Sequence, residues 1–255
     1  MKKLTPRQII TIFITVLTIV LNILANALPF NGQGTGEISD RFSILFVPAG
    51  YVFSIWFLIY VGITAFTIFQ ARPEQADNPL INRIAPAYWV ANTANIIWLF
   101  FWHWEQFPLT LAAMLIILVS LIYLYLQFRR VEKPLTKAEK RFIKIPFSVY
   151  LGWISVATIA NVTQVLYFIN WDGFSLAPEV WTVIMLLVAT VVGLLMLLRE
   201  LDIAYALVLV WSFAGIAVKQ AAYLNVSRTA WLGAGLLILM AILTLIRRNK
   251  LAKEN

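Results

Sequence analysis

Two helix-breaking residues, Pro48 and Gly50, stand just ahead of the aromatic residues Tyr51, Phe53, Trp56 and Tyr60. Phe53, Trp56 and Tyr60 are spaced by three and four, so on a helix they form one stripe. Indole and phenol rings in such a stripe can stack on a flat conjugated molecule and offer it an N–H or O–H. The same stripe serves equally as helix packing, and aromatics alone supply no acid, base or nucleophile. The chain has no cysteine and a single histidine, which removes disulfides, thiolate metal sites and cysteine nucleophiles. Pro48 opens the helix at little cost, because the first amides of a helix lack intrahelical partners anyway. Gly50 then leaves room beside it.

Polar side chains recur in two other apolar stretches. Tyr88, Asn92, Asn95 and Leu99 share one helical face, and Pro146, Tyr150, Trp153, Ala157, Asn161 and Gln164 share another. Lipid cannot satisfy these amides. Either they bond across helices, each worth about 0.6 to 2 kcal/mol, or they converge with the aromatic stripe around a cavity.

The elements that must position these residues are membrane helices. Of 255 residues 61% are apolar and 13% charged, with a mean hydropathy of +0.82, a composition foreign to soluble domains. Eight stretches of about 20 apolar residues stand out: 8–28, 46–70, 85–103, 108–128, 145–169, 179–198, 203–222 and 229–247. Seventeen of the twenty Lys and Arg lie on one side of these spans, the other three being Arg41, Lys219 and Arg228. This alternation predicts eight spans with both termini in the cytoplasm. The basic loop 129–144 then lies on anionic headgroups, and nucleic acid is not an expected partner. A signal peptide ending at Ala25-Asn26-Ala27 is the rival reading of the amino terminus. Thr11, Thr15, Thr18, Asn22 and Asn26, spaced to share one face, favour a retained helix that turns this face into a bundle.

The second stretch resembles the translocator protein family, also called TspO, tryptophan-rich sensory proteins or peripheral benzodiazepine receptor. That family's second helix opens Pro-Pro-Gly-Trp-Val-Phe-Gly-Pro-Val-Trp and continues to Leu-Tyr; here stand Pro48, Ala49, Gly50, Tyr51, Val52, Phe53, Ser54, Ile55 and Trp56, then Ile59 and Tyr60. The family's Asn-x-x-Trp leading into Phe-Phe is matched by Asn95, Trp98, Phe100 and Phe101, and its Pro-Tyr-Leu-x-Trp with a later Asn by Pro146, Tyr150, Leu151, Trp153 and Asn161. Tyr51 in place of Trp, Ala49 in place of Pro, and Ser54-Ile55 in place of a small residue and Pro are departures. They imply a pocket mouth of different shape. The motifs cover residues 1–172, and the three spans of 173–255 lie beyond them.

The resemblance implies an all-α polytopic bundle with a five-helix core over 1–172, an external loop 29–46 acting as lid, and a three-helix membrane extension over 173–255. It implies a membrane receptor or sensor for a tetrapyrrole such as a porphyrin, or a similar hydrophobic ligand. The implied ligand-binding residues are Pro48, Gly50, Tyr51, Phe53, Ser54, Trp56, Tyr60, Asn92, Asn95, Trp98, Tyr150, Trp153, Ala157 and Asn161. No cofactor is obligatory and no metal site is expected. Some relatives are linked to light-dependent porphyrin breakdown, which would fall to Trp56 and Trp153; catalysis is otherwise not expected. Partners are the lipid bilayer, the hydrophobic small molecule and a second copy of the chain as homodimer, in a bacterial plasma membrane. A small transporter of an apolar or amphipathic substrate is the alternative, against which stand the absence of buried Asp, Glu or Arg in the spans and of an internal repeat.

Other residues have plainer readings. His103, between Trp102 and Trp104, reads as part of an interfacial aromatic belt rather than a haem ligand. Lys219 near the end of the seventh span snorkels to the headgroups. Leu118, Tyr123 and Arg129 fit a loose sterol-contact pattern. Trp211, in the extension, is expected to stand apart from the ligand site.

Overall fold

The structure, a computed structural model, describes residues 3–28 and 30–254. Lys2 of the charge pattern, Pro29 at the head of the loop 29–46 and Asn255 lie outside the described residues. All regular structure among the described residues is helical. Helix α1 spans Pro6–Ala27, started by a reciprocal cap in which Thr5 Oγ1 accepts from Gln8 N and Gln8 Oε1 accepts from Thr5 N. A short α2, Thr35–Asp40, lies in the loop that follows α1. A turn of 3-10 helix, Gly50–Ser54, leads into α3, Ile55–Gln70. Then come α4 (Pro79–His103), α5 (Phe107–Leu126), the single turn α6 (Lys137–Glu139), α7 (Ile145–Phe168), α8 (Pro178–Glu200), α9 (Ile203–Lys219) and α10 (Leu224–Glu254).

Observed ends follow local chemistry. Helix α4 starts six residues ahead of the expected position 85, because Asn78 Oδ1 accepts from Leu80 N and Ile81 N while Pro79 takes the first helical position. The basic loop 129–144 is partly helical: Thr136 caps α6, and a π turn over Lys140–Lys144 carries the chain into α7. Seven helical stretches are long and apolar enough to cross a membrane, and α9 at 17 residues is a shorter apolar one, at the low end of spanning length. Large apolar side chains such as Phe57, Val119 and Leu232 are exposed at 74%, 62% and 74%, as lipid-facing surfaces require.

The chain forms two compact units. The first comprises the residues up to Phe42 and Trp56–Ile154; the second comprises Ser43–Ile55 and the chain from Ser155 onward. Residues 155–172, which the motif resemblance groups with the core, thus belong with the later helices by compactness, as does 43–55. In the first unit α1 packs on α4 and α4 on α5. Thr11, Thr15, Thr18 and Asn22 face inward as their spacing predicts, whereas Asn26 is exposed. Phe66, Tyr88 and Phe147 interlock edge to face at 4.9 to 5.6 Å between centroids. In the second unit α8, α9 and α10 pack on one another around the buried Leu186, Leu197, Phe213 and Leu237.

Candidate ligand-binding site

Trp56 is the second residue of α3, and Tyr60 follows one turn later on the same face. Their rings stack at 5.6 Å and 24°. Helix α7 brings two more rings to the same indole: Tyr150 at 6.0 Å and 66°, and Trp153 at 6.3 Å and 80°. The approach of the two helices depends on Gly62, where an added Cβ would lie 3.1 Å from Pro146 Cβ. Tyr150 and Trp153 are fully buried, while Trp56 and Tyr60 are half-buried. Trp56 is therefore the hub of an aromatic cluster whose polar tips are indole N–H and phenol O–H groups. Such a cluster can stack and orient a flat apolar molecule. Among the described residues no three His, Asp or Glu side chains group as a metal site.

The amides of α4 take a different part. Asn22 Nδ2 of α1 donates to Asn95 Oδ1 at 2.9 Å, so Asn95 joins two helices. Two turns away along both helices, Thr15 Oγ1 contacts the Tyr88 hydroxyl and lies 2.8 Å from Thr67 Oγ1 of α3, and Trp89 Nε1 donates to Thr11 Oγ1 at 2.9 Å. This is a polar seam of cross-helix bonds, the structural role left open for these amides. Asn92 Nδ2 donates to Tyr88 O at 2.9 Å, and its buried Oδ1 has no hydrogen-bond partner. Trp98 stacks on Trp102 at 4.9 Å.

The remaining expected site residues belong to the second unit. Pro48 is buried, whereas Gly50, Tyr51, Phe53 and Ser54 are exposed. Ala49 N donates to Gly215 O of α9 at 3.1 Å, and Trp211 Nε1 donates to Val52 O at 3.1 Å. The Tyr51 ring stands edge-on to Trp211 at 5.4 Å. Trp211, expected to be remote, thus touches the aromatic segment directly. Ala157 is half-buried on α7, and the buried Asn161 donates from Nδ2 to Gln164 Oε1 at 3.2 Å.

His103 is not a belt residue. It is 0% exposed, with Nδ1 3.2 Å from Phe30 O and Nε2 3.0 Å from Thr35 Oγ1. Asn31 Nδ2 donates to His103 O at 3.0 Å, and Trp102 Nε1 donates to Thr35 O at 3.1 Å. Beyond the helix end, Glu105 Oε1 accepts from Gln33 Nε2 at 2.9 Å and from Arg41 Nη1 at 3.0 Å. The loop over 30–41 is thereby fastened to the end of α4. A Trp-His-Trp run suggests an interface by type, but the bonds come from residues about seventy positions away, which no local pattern announces. The one usable sequence signal was Arg41 and Glu105, opposite charges on the sparsely charged side. Lys219 is the last residue of α9 and exposed, as expected of a helix-end lysine, and Tyr123 and Arg129 are exposed.

Helices with apolar outer faces, an internal polar seam and an interior aromatic cluster define a polytopic integral membrane protein. A model of the TSPO-like protein family matches residues 8–243. The chain belongs to that family. The match runs past residue 172, where the motif resemblance ended, through α8 and α9 and into α10. Neither the curated proteins nor the solved structures contain a match to this chain.

Proposed function

We propose that this protein is a membrane receptor or sensor that binds a tetrapyrrole, such as a porphyrin, or a comparably flat hydrophobic molecule at the Trp56 cluster. The observation that carries the reading is the contact of one indole, Trp56, with Tyr60, Tyr150 and Trp153 from two helices. Indole and phenol faces suit a conjugated macrocycle, and the absence of any charged side chain in this group suits an uncharged ring face. The family membership supports the same reading. An inner-membrane location with cytoplasmic termini, a core over 1–172 and an extension over 173–255 are parts of this proposal. The test is saturable quenching of tryptophan emission by protoporphyrin in the purified protein. A liposome arm measures whether labelled porphyrin crosses the bilayer. Binding without crossing supports a receptor, and protein-dependent crossing would make the chain a transporter instead.

A further inference from the structure

The segment before α3 is a stretch of chain whose backbone groups are not all paired within a helix. Gly50, Tyr51, Phe53 and Ser54 are exposed, so what holds the segment in place has to come from the groups it turns inward. Helix α9 satisfies two of them, receiving the Ala49 N–H at Gly215 O and giving the Trp211 indole N–H to Val52 O. The fit is close. A Cβ on Gly215 would fall inside contact distance of Val52 Cγ2 and 3.1 Å from Pro48 Cβ, so only glycine lets the segment seat there. Val52 is 0% exposed in this seat, and the Tyr51 ring completes it against Trp211. Val52 stands four residues ahead of Trp56, one helical turn along the chain. Fixing Val52 therefore fixes the turn from which α3 begins and from which the Trp56 side chain departs.

We infer that Trp211 is a positioning residue for ligand binding, and that α9 serves the ligand site by holding the segment 48–54, a role that rests on the receptor reading above. Gly215 acts with it, as the place where the segment's Pro48 and Val52 settle. This gives a function to a helix that lies beyond the motif-bearing part of the chain.

The experiment uses the full-length protein in nanodiscs with protoporphyrin as probe. Trp211→Phe keeps the ring and removes the N–H; it should weaken binding about fivefold, the equivalent of one hydrogen bond of about 1 kcal/mol. Trp211→Ala, which also removes the ring contact, should weaken it further, and Gly215→Ala should resemble Trp211→Ala. Trp231→Phe, on the exposed side of α10, is the control and should bind as the unaltered chain does. Because the chain has no cysteine, Gly50→Cys gives a unique attachment point for a nitroxide. A Cβ at Gly50 meets no heavy atom within 4 Å. In the ligand-free protein the label should be more mobile with Trp211→Ala than without it, while the helical circular dichroism stays unchanged. That combination, with the graded Phe and Ala losses, is what a purely structural residue would not give. If the label loosens and protoporphyrin affinity is unchanged, the role of α9 is overturned. If the label does not loosen in Trp211→Ala, the positioning is overturned. Should Trp211→Ala fail to fold, Trp211→Phe decides, and unaltered binding by it overturns the inference. Failure of the receptor reading looks different: the unaltered chain itself would not bind protoporphyrin, or Trp56→Phe would bind normally.

Discussion

His103 Nε2 lies 3.0 Å from Thr35 Oγ1 while Nδ1 of the same ring lies 3.2 Å from Phe30 O. A carbonyl only accepts, so Nδ1 carries the hydrogen, and Nε2 of the neutral ring accepts from the Thr35 hydroxyl. One histidine thus uses both nitrogens to hold the loop over 30–35 against the end of α4. His103→Ala leaves those loop groups without partners at a cost of about 1 to 3 kcal/mol. The expected outcome is faster amide exchange over 30–41, with the Soret band of any porphyrin complex unmoved. A shifted or missing band would instead make His103 an axial ligand.

The second fastening responds to acid. Glu105 is held below the usual carboxylate range by the Gln33 amide and then by Arg41. A carboxyl depressed in the folded state stabilises it above the unfolded value of about 4.3, and that contribution is lost as pH falls through the lower folded value. Both side chains are exposed, so the effect is under about 1 kcal/mol. A nitroxide at Gly36→Cys, where a Cβ meets open space, should become more mobile as pH falls below about 4. With Glu105→Gln its mobility should no longer change over that range. An equally steep profile in the variant would show that another group is responsible.

The Asn22–Asn95 bond joins α1 to α4. A double-mutant cycle with Asn22→Ala and Asn95→Ala, read by unfolding in detergent, should give a coupling of about 0.6 to 1.7 kcal/mol. Additive losses would mean that the two amides act separately.

For the aromatic cluster, Trp56→Phe and Trp153→Phe keep an aromatic face but lose indole area and its N–H. Each should weaken protoporphyrin binding by about 0.5 to 1.5 kcal/mol, or about two- to twelvefold. Trp231→Phe is the comparison, since Trp211 touches the segment ahead of Trp56. Equal behaviour of all three would place the ligand elsewhere.

Orientation is tested by reporter fusions. The seventeen-to-three distribution of Lys and Arg predicts that a fusion after Asn255 reads cytoplasmic and one near Gly173 reads external. An external carboxyl terminus would require an odd number of crossings.

Helix positions were legible in the sequence because hydrocarbon imposes a length, and charge, proline and glycine mark the ends. The inward face of α1 was legible because Thr11, Thr15, Thr18 and Asn22 keep helical spacing. The pairing of Trp56 with Tyr60 was legible for the same reason. What spacing along one helix cannot specify is the partner on another chain segment. Asn95 bonds to Asn22, 73 positions away, Trp211 to Val52, 159 positions away, and His103 to Thr35, 68 positions away. The identity of His103 suggested an interface, and only tertiary contact reveals it as buried.

The polar seam has a consequence for the order in which the protein is made. Helix α1 leaves the ribosome long before α4, so its inward face meets lipid first. Its polar groups are nonetheless provided for locally: Thr15 Oγ1 donates to Thr11 O, Thr18 Oγ1 to Ile14 O, Asn22 Nδ2 to Thr18 O and Asn26 Nδ2 to Asn22 O, all at 2.7 to 2.9 Å. Each side chain returns a donor to a carbonyl four residues back, so the helix can enter the bilayer alone with most of these donors already satisfied. The oxygen lone pairs left over on Thr15, and the second amide hydrogen of Asn22, then await Tyr88 and Asn95. The first helix is largely self-satisfied while unaccompanied and recognises its partner on arrival through Thr15 and Asn22, so translation order and docking specificity meet in these two side chains.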